Sequence, residues 1–77
     1  MVKGRHKLSP LHAKIYIERI MGDPIKDLAK TYGMTESGIR STLSRVNWIL
    51  REGEKDDIKA AVIEIYAAWL DFMKERL

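Results

Sequence analysis

The sequence predicts an all-α fold, a small bundle of three helices followed by a longer C-terminal amphipathic helix. Three observations predict it. Apolar residues recur at three- and four-residue steps, in Ile39, Leu43, Val46 and Leu50 and again in Ile58, Val62, Ile65, Trp69 and Phe72. Helix starts are written as a capping side chain, twice followed by proline: Ser9-Pro10, Asp23-Pro24 and Thr35. Glycines at 22, 33 and 53 punctuate the apolar runs as stops. At 77 residues there is room for one domain. A chain this short buries only about 60% of its unfolded surface, so a partner subunit would help it.

Residues 1–7 form a basic arm in which Gly4 prevents a stable helix. The first helix is expected from Ser9 to about Met21, with Leu11, Ile15, Ile17, Ile20 and Met21 inward and Lys14 and Arg19 outward. His6 and His12 have no second ligand at metal spacing, and His12 reads as a surface or helix-start residue. Gly22 stops this helix and Asp23-Pro24 begins the next, with the Asp23 carboxylate favoured beside the helix N-terminus. Lys26 and Lys30 lie one turn apart. Ala29 is small where two steeply crossing helices need their backbones close, and Gly33 ends the second helix in a left-handed conformation.

Thr35 caps the third helix, which is expected to run to Arg51. Its inward stripe is Ile39, Leu43, Val46 and Leu50, while Leu28, Tyr32 and Met34 supply the other apolar positions of the corner. The opposite face carries Glu36, Ser37, Arg40, Ser41 and Ser44. Trp48 lies half a turn from Ile39, on that same outer face, and is expected to be covered by the last helix or by a second subunit. Residues 51–54, REGE, break the helix. Asp56 or Asp57 is then expected to cap a last helix over residues 57–76.

That last helix has two apolar rows. Ile58, Val62, Ile65, Trp69 and Phe72 form one; Ile63, Tyr66, Leu70, Met73 and Leu77 run beside it. Together they are wider than the stripe of an ordinary surface helix. One row can pack on the bundle and the other then needs a partner, most simply a second copy. Trp48, Val62, Ile63, Tyr66, Trp69, Leu70, Met73 and Leu77 are the expected dimer interface. The alternative is a bundle that wraps this helix more fully.

Residues 24–47, PIKDLAKTYGMTESGIRSTLSRVN, therefore read as a helix, a tight turn and a second helix with a small, polar, basic outer face. That is the sequence form of a DNA-reading helix-turn-helix. Small side chains leave the face free to enter a groove about 12 Å wide, and Ser, Glu and Arg have the donors and acceptors to read base edges. Thr35, Glu36, Ser37, Arg40, Ser41 and Ser44 are the candidate base contacts. Lys3, Arg5, Lys7, Lys26, Lys30 and Arg45 are the candidate backbone contacts. A Gly-Arg arm ahead of such a unit can lie in a narrow minor groove, although a basic terminus is often just solvated.

From Gly22 to Glu52 the stretch GDPIKDLAKTYGMTESGIRSTLSRVNWILRE resembles, without a gap, the helix-turn-helix of bacterial sigma-factor region 4. The preceding LSPLHAKIYIERIM resembles that family's lead-in helix. The resemblance covers about residues 8–52 and implies a groove-entering helix and promoter-type DNA. It is shared more loosely with LuxR-type regulators, resolvases and invertases, whose Gly-Arg arm makes Arg5 the best candidate of the arm, and with phage terminase small subunits. No region 2 or other core-polymerase-binding segment is present, so a complete sigma factor is not expected. The chain divides accordingly into an arm (1–7), a DNA-binding unit (8–52) and a packing and dimerisation helix (53–77).

The charge follows the same division. The net charge of +3 hides ten Lys/Arg against four Asp/Glu in residues 1–51 and four against seven in residues 52–77. Positive charge collects where phosphates would be held. No cysteine is present, which excludes disulfides and thiolate zinc sites. No apolar run approaches the ~20 residues of a membrane span, and MVKGRHK lacks the apolar segment of a signal peptide, so a cytoplasmic location is expected. Paired carboxylates, a nucleophile with its base and a phosphate-cradling glycine loop are all missing. An enzyme is not expected, nor is a cofactor. The leading expectation is a dimeric, sequence-specific regulator of transcription from a bacterium or mobile element. A terminase-like packaging or recombination accessory protein is one alternative. The other is a protein-docking module whose apolar row grips RNA polymerase.

Overall fold

The computed structural model describes residues 8–76 and is all-helical: α1 (Pro10–Ile20), α2 (Ile25–Tyr32), α3 (Glu36–Glu52) and α4 (Lys55–Arg76). Each boundary has a local cause. Ser9, in extended backbone, accepts the His12 N–H on its hydroxyl at 3.2 Å, and Pro10 fills the first turn. Leu8 before the cap and Ala13 after it are both buried in one cluster, which fixes how the chain enters α1. Gly22 (φ 119°) closes α1: its N–H donates to the Arg19 carbonyl, and the Asp23 N–H donates to that of Glu18.

That closure moves the next start. Asp23 is not the cap of α2; Pro24 occupies the cap position in extended backbone, with no side-chain cap, and its carbonyl accepts from Leu28 N–H at 3.1 Å. The Asp23 backbone is committed to ending α1, so α2 begins one residue later. Gly33 (φ 63°) ends α2 with the Met34 N–H on the Ala29 carbonyl at 2.9 Å and its own N–H on that of Lys30. Thr35 caps α3 as expected, accepting the Gly38 N–H at 2.9 Å. Flanking the cap, Met34 and Ile39 pack in one cluster. The last helix begins at Lys55, two residues earlier than predicted. Asp56 and Asp57 sit in its first turn, where the dipole favours them, instead of capping it.

Two apolar clusters hold the helices together. Ile15, Leu28, Ala29 and Ile39 join α1, α2 and α3, with Ile25, Tyr32, Met34 and Leu43 half-buried around them. Leu8, Ala13, Ile17, Val46, Ile49, Ala61, Ala68 and Phe72 join α1, α3 and α4, with Tyr16, Leu50, Ile65 and Met73 at the edge. The first helix is thus buried on two sides, Ile15 toward one cluster and Ala13 and Ile17 toward the other. Leu11, Ile20 and Met21, expected inside, are 47–58% exposed. Leu11 lies at the rim of a shallow groove with Lys14, Glu64 and Asp71, and Ile20 and Met21 are the last residue and the cap of α1.

The third helix needs a smaller correction. Its buried stripe is Ile39, Thr42, Val46 and Ile49, with Leu43 and Leu50 half-buried beside it. Thr42 satisfies its buried hydroxyl by donating to the Gly38 carbonyl at 3.0 Å. The fourth helix departs further. Its core face is Ala61, Ala68 and Phe72 with Ile65 half-buried, while Val62, Ile63, Tyr66, Trp69 and Leu70 are 38–60% exposed. The most extensive helix–helix contact is α1 with α4, and Ala13, Ala61 and Ala68 are all buried there. Small side chains let the backbones approach closely, so the large ones beside them stay outside. The first predicted row meets the core along one edge only, through Ile65 and Phe72; the core line is turned from it toward the polar strip, through Ala61 and Ala68, and leaves Val62 and Trp69 outside. Among the described residues, no helix is long and apolar enough to cross a membrane.

Candidate nucleic-acid interface

The outer face of α3 follows from its inner one. With Ile39, Thr42, Val46 and Ile49 held against the two clusters, residues half a turn away must face solvent. Ser37, Ser41, Ser44 and Trp48 fall there at steps of four, three and four. They form a shallow concave strip: the serines are its floor, Trp48 its far end, and Arg40, Arg45, Asn47 and Arg51 its sides. All eight residues are exposed. Because α4 docks through Val46 and Ile49, it lies on the reverse of α3 and leaves the strip open.

The expected base contacts divide in three. Ser37, Arg40, Ser41 and Ser44 share the strip. Glu36 begins the helix and pairs with Arg40 at 3.5 Å, an exposed contact one turn apart, worth at most about 0.5 kcal/mol. The pair extends Arg40 along the helix while leaving its other guanidinium N–H groups available. Thr35 is exposed, but one acceptor site of its oxygen is taken by the Gly38 N–H that caps α3, which leaves the O–H and one lone pair. Among the expected backbone contacts, Arg45 flanks the strip. Lys26 and Lys30 are exposed on α2 and lie outside the strip. Lys3, Arg5 and Lys7 fall outside the described residues, as does Leu77 of the expected dimer face.

Trp48 is not covered by the last helix. Its indole stays 42% exposed among the serines and arginines of α3. Asn47 and Arg51 were missed as members of this face. Their three-residue steps from Ser44 and Trp48 are the signal that could have found them.

The corner that carries α3 holds a half-buried phenol, Tyr32. Partial burial first, then the neighbouring carboxylates of Glu18, Glu75 and Asp23, hold the Tyr32 hydroxyl above its ordinary range. The ring is thus kept neutral where α2 meets α1. Among the described residues, no group of three His, Cys, Asp or Glu side chains could hold a metal ion.

No protein-family model, no curated protein and no solved structure matches the chain.

Proposed function

We propose that the chain is a sequence-specific double-stranded DNA-binding protein of the helix-turn-helix class, acting as a dimeric regulator of transcription in a bacterium or mobile element. The carrying observation is the outer face of α3: a floor of three serines bordered by Arg40, Arg45 and Arg51, exposed along its whole length. Small polar residues permit close approach to base edges, and arginines supply bidentate donors for guanine and charge for phosphate. The likeness of residues 8–52 to sigma-factor region 4 points the same way. Lys26 and Lys30 on the preceding helix add phosphate contacts.

The first test is a salt titration of binding to random duplex DNA. Affinity falls steeply with salt if phosphates are held; no binding at low salt refutes the proposal. Arg40→Ala then costs about 1–3 kcal/mol on the cognate site and relaxes one base position. Equal losses on cognate and random DNA would remove Arg40 from base reading.

The dimer rests on α4. Val62, Ile63, Tyr66, Trp69 and Leu70 form a contiguous exposed stripe, with the Tyr66 and Trp69 rings stacked at 6.2 Å. Their exposed surface is on the order of 500 Å² per subunit, so a symmetric pair that covered all of it would bury about 1,000 Å², the lower limit of a specific interface. A two-fold pair would set two copies of α3 one DNA turn apart, about 34–36 Å. Light scattering gives two subunits for the wild type and one for Leu70→Glu. A ring-sized mass would instead favour the packaging reading. A monomer whose Val62→Glu variant keeps DNA affinity but no longer binds RNA polymerase would favour the docking reading.

A further inference from the structure

The outer face of α3 extends beyond what a groove can hold. At a rise of about 1.5 Å per residue, Trp48 lies about 16 Å along the axis from Ser37, and Arg51 about 21 Å. The major groove is about 12 Å wide. With residues 37–41 inside it, Asn47, Trp48 and Arg51 come level with its rim, where the phosphates run. These three side chains continue the strip without interruption and are all exposed. Their chemistry suits a rim. Arg51 brings a cation and Asn47 an amide, both donors to anionic oxygens that can only accept. The apolar body of the indole, costly in water, can cover a deoxyribose.

We infer that Asn47, Trp48 and Arg51 form a second contact of α3, to the sugar–phosphate backbone at the rim of the groove, with Arg45 across the strip. This rests on the duplex-binding reading above and gives Trp48 a nucleic-acid partner in place of a second subunit. Arg51 pairs with Glu52 at 3.8 Å, but both side chains are more than half exposed, so the pair yields readily to a phosphate. The contact raises affinity without reading sequence. It also sets how deeply the N-terminal half of α3 sits.

Trp48 and Trp69 are the only two tryptophans, so in a Trp69→Phe chain the emission reports Trp48 alone. Random duplex DNA is titrated at low salt, with the anisotropy of a labelled duplex followed in parallel and the fold of each variant checked by circular dichroism. Emission is expected to quench in step with binding. In the same background Trp48→Ala and Arg51→Ala each weaken binding about tenfold on every sequence. Only Arg51→Ala lowers the salt slope, by about one. Normal duplex binding with unchanged emission and unaltered affinity in both variants overturns the rim contact while duplex binding stands. A Trp69→Phe chain and a wild type that both fail to bind overturn the duplex reading and this contact with it. Tighter binding and deeper quenching by a single strand than by duplex also overturns it, in favour of base stacking.

Discussion

The α2–α3 corner and the α1–α4 face use their apolar residues in opposite ways. In the corner, taken as residues 25–44, Leu28, Ala29 and Ile39 are buried, Ile25, Tyr32, Met34 and Leu43 are half-buried, and the side chains that remain outside are Ser, Thr, Lys, Arg, Asp and Glu. On α4 the buried positions are filled by Ala61, Ala68 and Phe72, while five larger apolar side chains stay exposed. The corner has about as much apolar surface as it can cover. The fourth helix has a surplus. A polar outer face beside a filled core suits a polar ligand; an apolar surplus suits another protein surface. The two halves of the chain thus present different chemistry from one rigid frame, since α3 contributes Ile39 to one cluster and Val46 and Ile49 to the other.

The contrast can be broken from either side. The largest effect is expected for Phe72→Ala, which removes the one large, well-buried side chain α4 contributes to its cluster. The loss is about 3–5 kcal/mol, read as a fall in the urea midpoint. For so small a domain that is a large share of total stability, and α4 should detach. Ala29→Leu attacks the corner instead. Overpacking costs about 1–3 kcal/mol and forces α2 from α3, so DNA affinity should fall with it. Stability loss without any change in DNA binding would argue against the corner as the binding unit.

Two glycines sharpen the comparison through different physics. Gly33→Ala places a Cβ in the left-handed region, at about 1–2 kcal/mol, with open space around it. Gly53→Ala strains no dihedral, but its Cβ would lie 2.5 Å from the Ile49 carbonyl oxygen, so the α3–α4 link must open by a comparable cost. Thermal melts should show both losses. Amide exchange should localise the first to α2 and the second to α4.

The smallest effect is electrostatic. Tyr32 is held above its ordinary value of 10.0 in the fold, so the neutral phenol favours the folded chain. That contribution is complete below about pH 10 and is lost as the pH rises further, because the unfolded phenol ionises first. Stability should therefore decline above pH 10, and Tyr32→Phe should decline less steeply there. Equal slopes would remove the phenol from the alkaline response.

What was legible in the sequence was short-range. Ser9 and Thr35 as caps and Gly22 and Gly33 as stops hold because each depends on partners within about five residues. What failed depended on a second helix. Asp23 looks like a cap until the closure of α1 claims its backbone. Trp48 was already placed with the serines by its half turn from Ile39, but the cover expected of α4 fails because α4 docks on the reverse of α3, through Val46 and Ile49. The candidate strip was legible in its N-terminal half, where Ser and Arg stand out by type. Asn47 and Arg51 were not, because they looked like the end of a helix.

By itself the sequence determined an all-helical chain, the turns between the helices and which side of α3 must be polar. These follow from hydrogen-bond geometry and from the 3.6-residue period. Only the tertiary structure decided which face of α4 is core. Ala13, Ala61 and Ala68 bring two backbones close, and close approach excludes the larger neighbours whatever their hydrophobicity. Periodicity alone weighs a leucine above an alanine; packing across a helix crossing reverses that order.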